Sequence, residues 1–405
     1  MQTSIMRATG VFFTGFAILS LNACTLFNTL GFTESQDELD MRLLTNLVVA
    51  NAQNSQSSAN TPILFHNKTS DFTTYTLEWI EAGPVGTSGV PPMFLYEDQI
   101  SLTSGGIKSA QMYQGRLVFI DSSGSGAGAL RVYDYDSRTQ VTSLTLGTFP
   151  QEMIISGSTA YVPVQNTFGT GGGSDGQLLV LDLSDIDAPS ISQTITTNIS
   201  RDPGNSVLKN DVLYIQREGF GTGANIQTGV DIYDINNGFA QTHMATGDNP
   251  LQVADSDNKL FLVATGDSGT NGNLTTFTGA SDPTSITAFP DTDGNATNEI
   301  PASCSSIAFP DTGNGYITLT DDSGTTCELF AINGFTGEIG STAINAGPDY
   351  DFVGVGYRKN YLHRVSNGNG SASELTIEVQ DLSGTTLNTF TVTRLGGFNH
   401  NFNAY

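Results

Sequence analysis

The sequence predicts an all-β protein built as a β-propeller, and three observations carry that expectation. Short runs rich in Val, Ile, Tyr and Thr alternate with turns of Gly, Asn and Asp along most of the chain. One pattern restarts at Gly106, Pro150, Pro203, Pro250, Pro301 and Pro348, roughly 44 to 53 residues apart, which is the spacing of four-stranded blades. No amphipathic helical run interrupts these units, which argues against parallel βα architectures.

The N-terminus has a different character. Residues 1–23 carry one positive charge, Arg7, then an apolar stretch from Val11 to Leu21. That is the layout of a secretory signal peptide, too short to span a bilayer as a helix. Its ending, Leu21-Asn22-Ala23-Cys24, resembles the bacterial lipobox. The resemblance implies cleavage before Cys24 and lipidation of that residue; an ordinary signal peptide with a chance cysteine is the alternative. Thr25 stands where an Asp would resemble an inner-membrane retention cue, so the expected address is the outer membrane, facing the periplasm or the cell surface.

Thr33-Glu34-Ser35-Gln36 can form a capping box, and Leu39, Leu43 and Leu47 then recur at helical spacing. A short amphipathic helix is therefore expected over residues 34–50, followed by a Ser/Asn/Gln-rich flexible linker over 51–60. The domain reading is residues 1–23 as signal peptide, 24–60 as lipidated tether and 61–405 as propeller.

Each unit opens with a turn residue and a first strand, then enters a second strand built on an aromatic or aliphatic pair. Leu117-Val118-Phe119, Ala160-Tyr161-Val162, Leu213-Tyr214-Ile215, Leu260-Phe261-Leu262, Tyr316-Ile317-Thr318 and Tyr361-Leu362 fill that place. Third strands close on Val132-Tyr133-Asp134, Leu181-Asp182, Ile232-Tyr233-Asp234, Ile332-Asn333 and Gln380-Asp381. Six units are visible, and the chain ends can supply another. A C-terminal first strand within 396–405 would join N-terminal strands at Tyr75–Ile80 and Met93–Tyr96, giving seven blades and leaving no exposed edge in the ring. Six blades with an N-terminal extension is the alternative.

These units, over about residues 103–396, resemble the YVTN-type repeat of lactonase-like and surface-associated propellers. The likeness rests on the Pro start, the Tyr-Val-like second strand and the Val-Tyr-Asp-like third. The full Tyr-Val-Thr-Asn box is missing, and Tyr161-Val162-Pro163-Val164 comes nearest to it. The resemblance implies a propeller that is either a hydrolase or an interaction module. For a lactonase-like hydrolase, the residues to test first are His363, Arg364, Asp349 and Asp351.

Composition narrows the partners. Forty acidic residues against 15 basic give a formal charge of −25, a surface that repels nucleic acid and anionic lipid headgroups. Apart from Cys24, the cysteines are Cys304 and Cys327, an even remainder that suggests one disulfide in an oxidising compartment, with two free thiols as the alternative. Asp291, Asp293 and Asn295 place oxygens at alternate positions, as calcium loops do. Ala296 and Ala302 replace the glycine and the glutamate of an EF-hand-type loop, so a plain acidic turn competes with calcium. The four histidines show no zinc-ligand spacing, and neither a Gly-x-Ser-x-Gly element nor a phosphate loop occurs.

The loops between second and third strands are long and rich in Gly, Ser and Asn. Because they occupy the same place in each unit, they should gather on one face. The resulting expectation is a membrane-anchored, non-catalytic module that binds envelope or surface proteins or glycans. The hydrolytic propeller is the competing expectation.

Overall fold

The second and third strands of each unit are apolar almost without interruption, the mark of strands covered on both faces. The computed structural model describes most of residues 106–344 outside the longer loops. Beyond them it describes strands within 61–96 and 352–404. Residues 1–60, with Cys24 and the expected helix, lie outside the described residues. Residues 59–405 form one compact unit.

The first sheet holds β1 (Thr61–Lys68), β2 (Tyr75–Ala82) and β3 (Met93–Tyr96). The second holds β4 (Gly106–Tyr113), β5 (Arg116–Ser122), β6 (Ala127–Asp134) and β7 (Gln140–Thr148). The third holds β8 (Ile154–Ser156), β9 (Thr159–Val164), β10 (Gly176–Asp182) and β11 (Ser190–Ile199). The fourth holds β12 (Pro203–Lys209), β13 (Val212–Arg217), β14 (Gly229–Asp234) and β15 (Ala240–Ala245). The fifth holds β16 (Pro250–Asp255), β17 (Leu260–Ala264), β18 (Asn273–Phe277) and β19 (Thr284–Ile286). Next come the three-stranded sheet of β20 (Ile307–Ala308), β21 (Asn314–Thr320) and β22 (Cys327–Asn333), and the four-stranded sheet of β23 (Phe352–Arg358), β24 (Tyr361–Ser366), β25 (Glu374–Gln380) and β26 (Thr386–Thr393). The last strand, β27 (Phe402–Ala404), returns to the first sheet.

Among the described residues there are therefore seven sheets, every ladder antiparallel, and the only helix is a 3-10 turn at Ile235–Asn237. The termini meet in one ladder: β27 pairs with β1 through Ile63 opposite Ala404, Leu64 opposite Asn403 and Phe65 opposite Phe402. First strands of successive sheets neighbour one another, β8 with β12, β12 with β16, β16 with β20, β20 with β23, β23 with β27 and β27 with β4.

Packing explains why the middle strands read as apolar runs. Val118, Ile120, Leu130 and Val132 of the β4–β7 sheet pack on Ala160, Val162, Leu179 and Leu181 of the next. The opposite face of that neighbour sends Tyr161, Leu178 and Val180 against Leu213, Ile215 and Tyr233. The succession continues with Tyr214 and Ile232 on Leu260, Leu262 and Phe277, then Phe261 and Val263 on Ile317 and Phe330. Side chains of the fourth strand β7 are mostly exposed or half-buried, with Leu146 alone buried, since that strand lies at the edge of its sheet.

The aspartate that closes β6, β10 and β14 has a local job. The Oδ1 of Asp134 accepts from the Ser137 N–H at 2.8 Å, that of Asp182 from Ser184 at 2.9 Å, and that of Asp234 from Asn237 at 3.2 Å. Asn333 and Asp381 accept in the same way, from Phe335 and Thr385. These side chains satisfy turn N–H groups that the ladder leaves open. The three-stranded sheet lacks a regular fourth strand because residues 338–344 bond to β22 with a slipped register. Gly340 N donates to Ala331 O at 2.9 Å, yet the next bond, Ile344 N to Leu329 O at 2.7 Å, lies four residues on against a two-residue step on β22.

Candidate functional site

Strand register fixes which end of each sheet carries the glycine-rich loops. Pro203, opening β12, pairs with Arg217, closing β13, and Pro250 pairs with Ala264 in the same manner. The start of the first strand and the loop after the second therefore share one end of the sheet. At that end the first strands are joined by a repeated polar contact.

Ser109 Oγ accepts the Met153 N–H at 3.0 Å. The Glu152 carboxyl accepts the Ser206 N–H and, on Oε2, Asn205 Nδ2 at 2.7 Å. Asn205 Oδ1 accepts the Val253 N–H at 2.7 Å, and Gln252 Oε1 accepts the Ile307 N–H at 3.0 Å. Each bond crosses from one sheet to the next. In the last three cases the acceptor stands two residues after a unit-opening Pro or its equivalent turn: Glu152 after Pro150, Asn205 after Pro203, Gln252 after Pro250. Asn205 is the most heavily used, because its backbone N–H also donates to Gln216 Oε1 at 2.9 Å. Gln216, fully buried, passes the contact on to Pro250 O through Nε2.

Glu152 is the acid in this series. Its side chain is half-buried, but its carboxyl is enclosed by protein. Loss of water pushes it up to about 7, although the bonds from Asn205 and Ser206 pull the other way. A carboxyl that titrates near neutrality can exchange a proton with a bound molecule, the property a general acid or base requires.

Farther from the first strands, two sheets carry the same buried ion pair with its polarity reversed. Leu117 faces Tyr133 across β5 and β6, and Leu213 faces Tyr233 across β13 and β14. Four residues beyond the leucine and two before the tyrosine stand Asp121 and Arg131 in one sheet, and Arg217 and Asp231 in the other. Arg131 Nε donates to Asp121 Oδ2 at 2.6 Å, while Arg217 Nε lies 3.5 Å from Asp231 Oδ2. Burial raises Asp121 despite the arginine, and burial lowers Arg217 despite the aspartate. Burial also lifts the Tyr233 phenol well above its ordinary range, with the Asp231 charge acting in the same direction. His243 Nδ1 sits 2.9 Å from Asp231 Oδ1. The Nε2 of His243 is buried and meets no partner among the described residues, so the pair is a packed ion cluster and not a base offered to solvent.

The residues singled out from sequence are only partly in view. His363 and Arg364 lie on β24, His363 opposite Gly356 and Val379, Arg364 opposite Val355 and Glu378. Asp349 and Asp351 lie outside the described residues. Asp291 is exposed, while Asp293 and Asn295 lie outside the described residues. Of the described residues nearby, Glu299 N donates to Pro290 O at 2.6 Å. Cys327 opens β22 opposite Thr320, and Cys304 lies outside the described residues. Among the described residues no three His, Cys, Asp or Glu side chains gather as a metal site. Nor is any described helix long and apolar enough to cross a membrane.

Glu152, Asn205 and Gln252 were not among the residues chosen from sequence. Their shared offset from a repeating proline was the signal that could have found them.

No protein-family model matches the sequence, and no curated protein does. Solved structures are similar in fold. The periplasmic gluconolactonase of Pseudomonas aeruginosa aligns at TM-score 0.54 and 11% identity, over 85% of this chain and 99% of its own. A quinoprotein alcohol dehydrogenase-like protein of Bacteroides thetaiotaomicron aligns at TM-score 0.47 and 12% identity, over 83% of this chain and 90% of its own. At that identity the likeness shows architecture alone: this chain is an all-β protein of antiparallel sheets with a β-propeller fold.

Proposed function

We propose that this chain is a bacterial envelope lipoprotein, anchored through Cys24, whose seven-bladed propeller is a non-catalytic interaction module for envelope or surface proteins or glycans. Seven described sheets, neighbouring first strands and the β27–β1 ladder support the blade number and its closure by the two termini. The observation that carries the binding reading is the use made of the polar side chains at the loop end. Ser109, Asn205 and Gln252 hold adjacent sheets together, which braces the end from which the glycine-rich loops rise. A rigid scaffold under variable loops is a common way to build a recognition face. Immobilised residues 61–405, without lipid, should retain a specific envelope protein or glycan from a detergent extract. Retention of none, with the domain verified as folded, would remove the binding reading. Cys24→Ser should move the full chain from the membrane fraction to the soluble fraction.

One observation favours a hydrolytic alternative, the near-neutral Glu152 at that same end. Turnover of a lactone or ester panel that disappears in Glu152→Gln, with folding intact, would establish it over the binding reading.

A further inference from the structure

We infer that Phe149 is the aromatic contact of the recognition face, and that the ligand it fits is a saccharide, with the phenyl ring against the C–H face of a sugar. The inference rests on the binding reading above and narrows its ligand to glycans.

Backbone strain is its first support. Phe149 has a φ of +55°. Few bulky residues enter that left-handed region, and a residue before proline ordinarily takes extended backbone. At the corresponding places before a unit opening the chain has Gly105, Asp202, Asn249 and Gly347, residue types that enter the region at lower cost, with Ile300 as the other bulky one. Phe239, the other phenylalanine at positive φ among the described residues, is buried and packs on Tyr161 with ring centroids 6.2 Å apart, so core contacts offset its strain. Phe149 is half-buried. Strain of this kind persists where the surroundings enforce it, and it concentrates at ligand contacts.

Position is the second support. Pro150 occupies the space beside Gly128, where an added Cβ would lie 2.4 Å from the proline ring, and it pairs with Val164. Gln151 N donates to Pro163 O at 2.8 Å, and Gln151 Nε2 donates to Phe149 O at 3.2 Å. Gly128 follows the loop between β5 and β6, and Val164 ends β9 where the loop to β10 begins. Phe149 is therefore fixed beside the roots of two glycine-rich loops, at the end of the sheets that carries the recognition face. Loop chemistry selects the ligand. In the six visible units the segments 121–129, 165–177, 217–227, 265–273, 321–326 and 366–373 are rich in hydroxyl, amide and carboxylate side chains, with Phe168 and Phe220 as their only aromatic residues and Arg217 as their only cation. A protein partner draws its affinity from clustered aromatic and arginine anchors, which are sparse here. A sugar presents hydroxyls to the polar side chains and C–H bonds to the negative face of one ring.

The test pairs melting curves with binding to an array of hexose and N-acetylhexosamine oligosaccharides, using the full chain in detergent. Phe149→Asn should melt at or above the wild-type temperature, because Asn enters the left-handed region at lower cost. It should bind the captured glycan at least about ten-fold more weakly, as the loss of a central aromatic contact does. Phe149→Tyr, which keeps the ring, should bind within about three-fold of the wild type, inside the range of a near-neutral contact. A Phe149→Asn variant that melts lower or fails to fold would show the ring to be core packing and overturn the inference. Equal glycan binding by Phe149→Asn and the wild type would overturn it as well. A wild type that retains an envelope protein but no glycan overturns the sugar and leaves the binding reading standing, whereas retention of neither removes both.

Discussion

Glu152 is where a local rule of the repeat is broken, since an acid occupies a place filled elsewhere by neutral acceptors. The consequence for stability has a definite sign. The folded carboxyl titrates near 7 and an unperturbed one near 4.5, so between those values the folded state binds more protons. The contribution is therefore complete below about pH 4.5 and is lost as pH rises through 7, about 3 kcal/mol in all. Urea midpoints at pH 5 and pH 8 should differ more in the wild type than in Glu152→Gln. Equal differences would place the pH dependence elsewhere. The buried ion pairs make a second residue-scale prediction. Asp231→Ala leaves Arg217 buried without its charge partner and should cost about 3–5 kcal/mol by thermal or urea unfolding. Because the β5–β6 ladder carries an acid and an arginine at the same two places in the opposite order, Arg217→Asp with Asp231→Arg should recover much of that loss.

At the scale of single elements, much of the fold was legible. Leu117-Val118-Phe119, Ala160-Tyr161-Val162 and Leu213-Tyr214-Ile215 all fall inside second strands, because strands buried on both faces must be apolar at every position. The aspartate ending several third strands was visible as a pattern, but its purpose, accepting turn N–H groups, emerged only with the turns in place. The candidate site was less legible. Glu152 and Asn205 act across a sheet-to-sheet junction, a relation between residues about fifty positions apart that no local periodicity encodes. Asp121 and Arg217 escaped for the same reason: a charged residue ending an apolar strand reads as a loop boundary until a cross-strand partner covers it. Turn chemistry yields the element-scale prediction. Asp234→Ala removes the acceptor for the Asn237 N–H and should cost about 1 kcal/mol. Gly229→Ala should cost more, since φ is +141° there and an added Cβ would lie 2.0 Å from Met244 O. Paired melting curves would order the two variants, and a milder Gly229→Ala would contradict the close approach.

For the whole molecule, the decisive feature is the ladder between the two ends of the domain. A ring of sheets closed only by side-chain packing could part at one junction, exposing two faces of apolar residues. Backbone hydrogen bonds between β27 and β1 make that parting cost several bonds at once, and they tie residues more than three hundred positions apart. Their register, Ile63 to Phe65 against Ala404 to Phe402, places the tie within the last four residues of the chain. Ending the chain at residue 401 should therefore damage stability far more than the loss of four terminal residues ordinarily does. The shortened domain should melt at lower temperature and form oligomers, because β1 would offer an unpaired edge to other copies. A synthetic peptide carrying residues 396–405 should restore the monomer when added in excess. If the shortened domain melts with the full-length domain and stays monomeric, the β27–β1 ladder does not close the ring. The protein would then be an open array held by its sheet-to-sheet contacts alone.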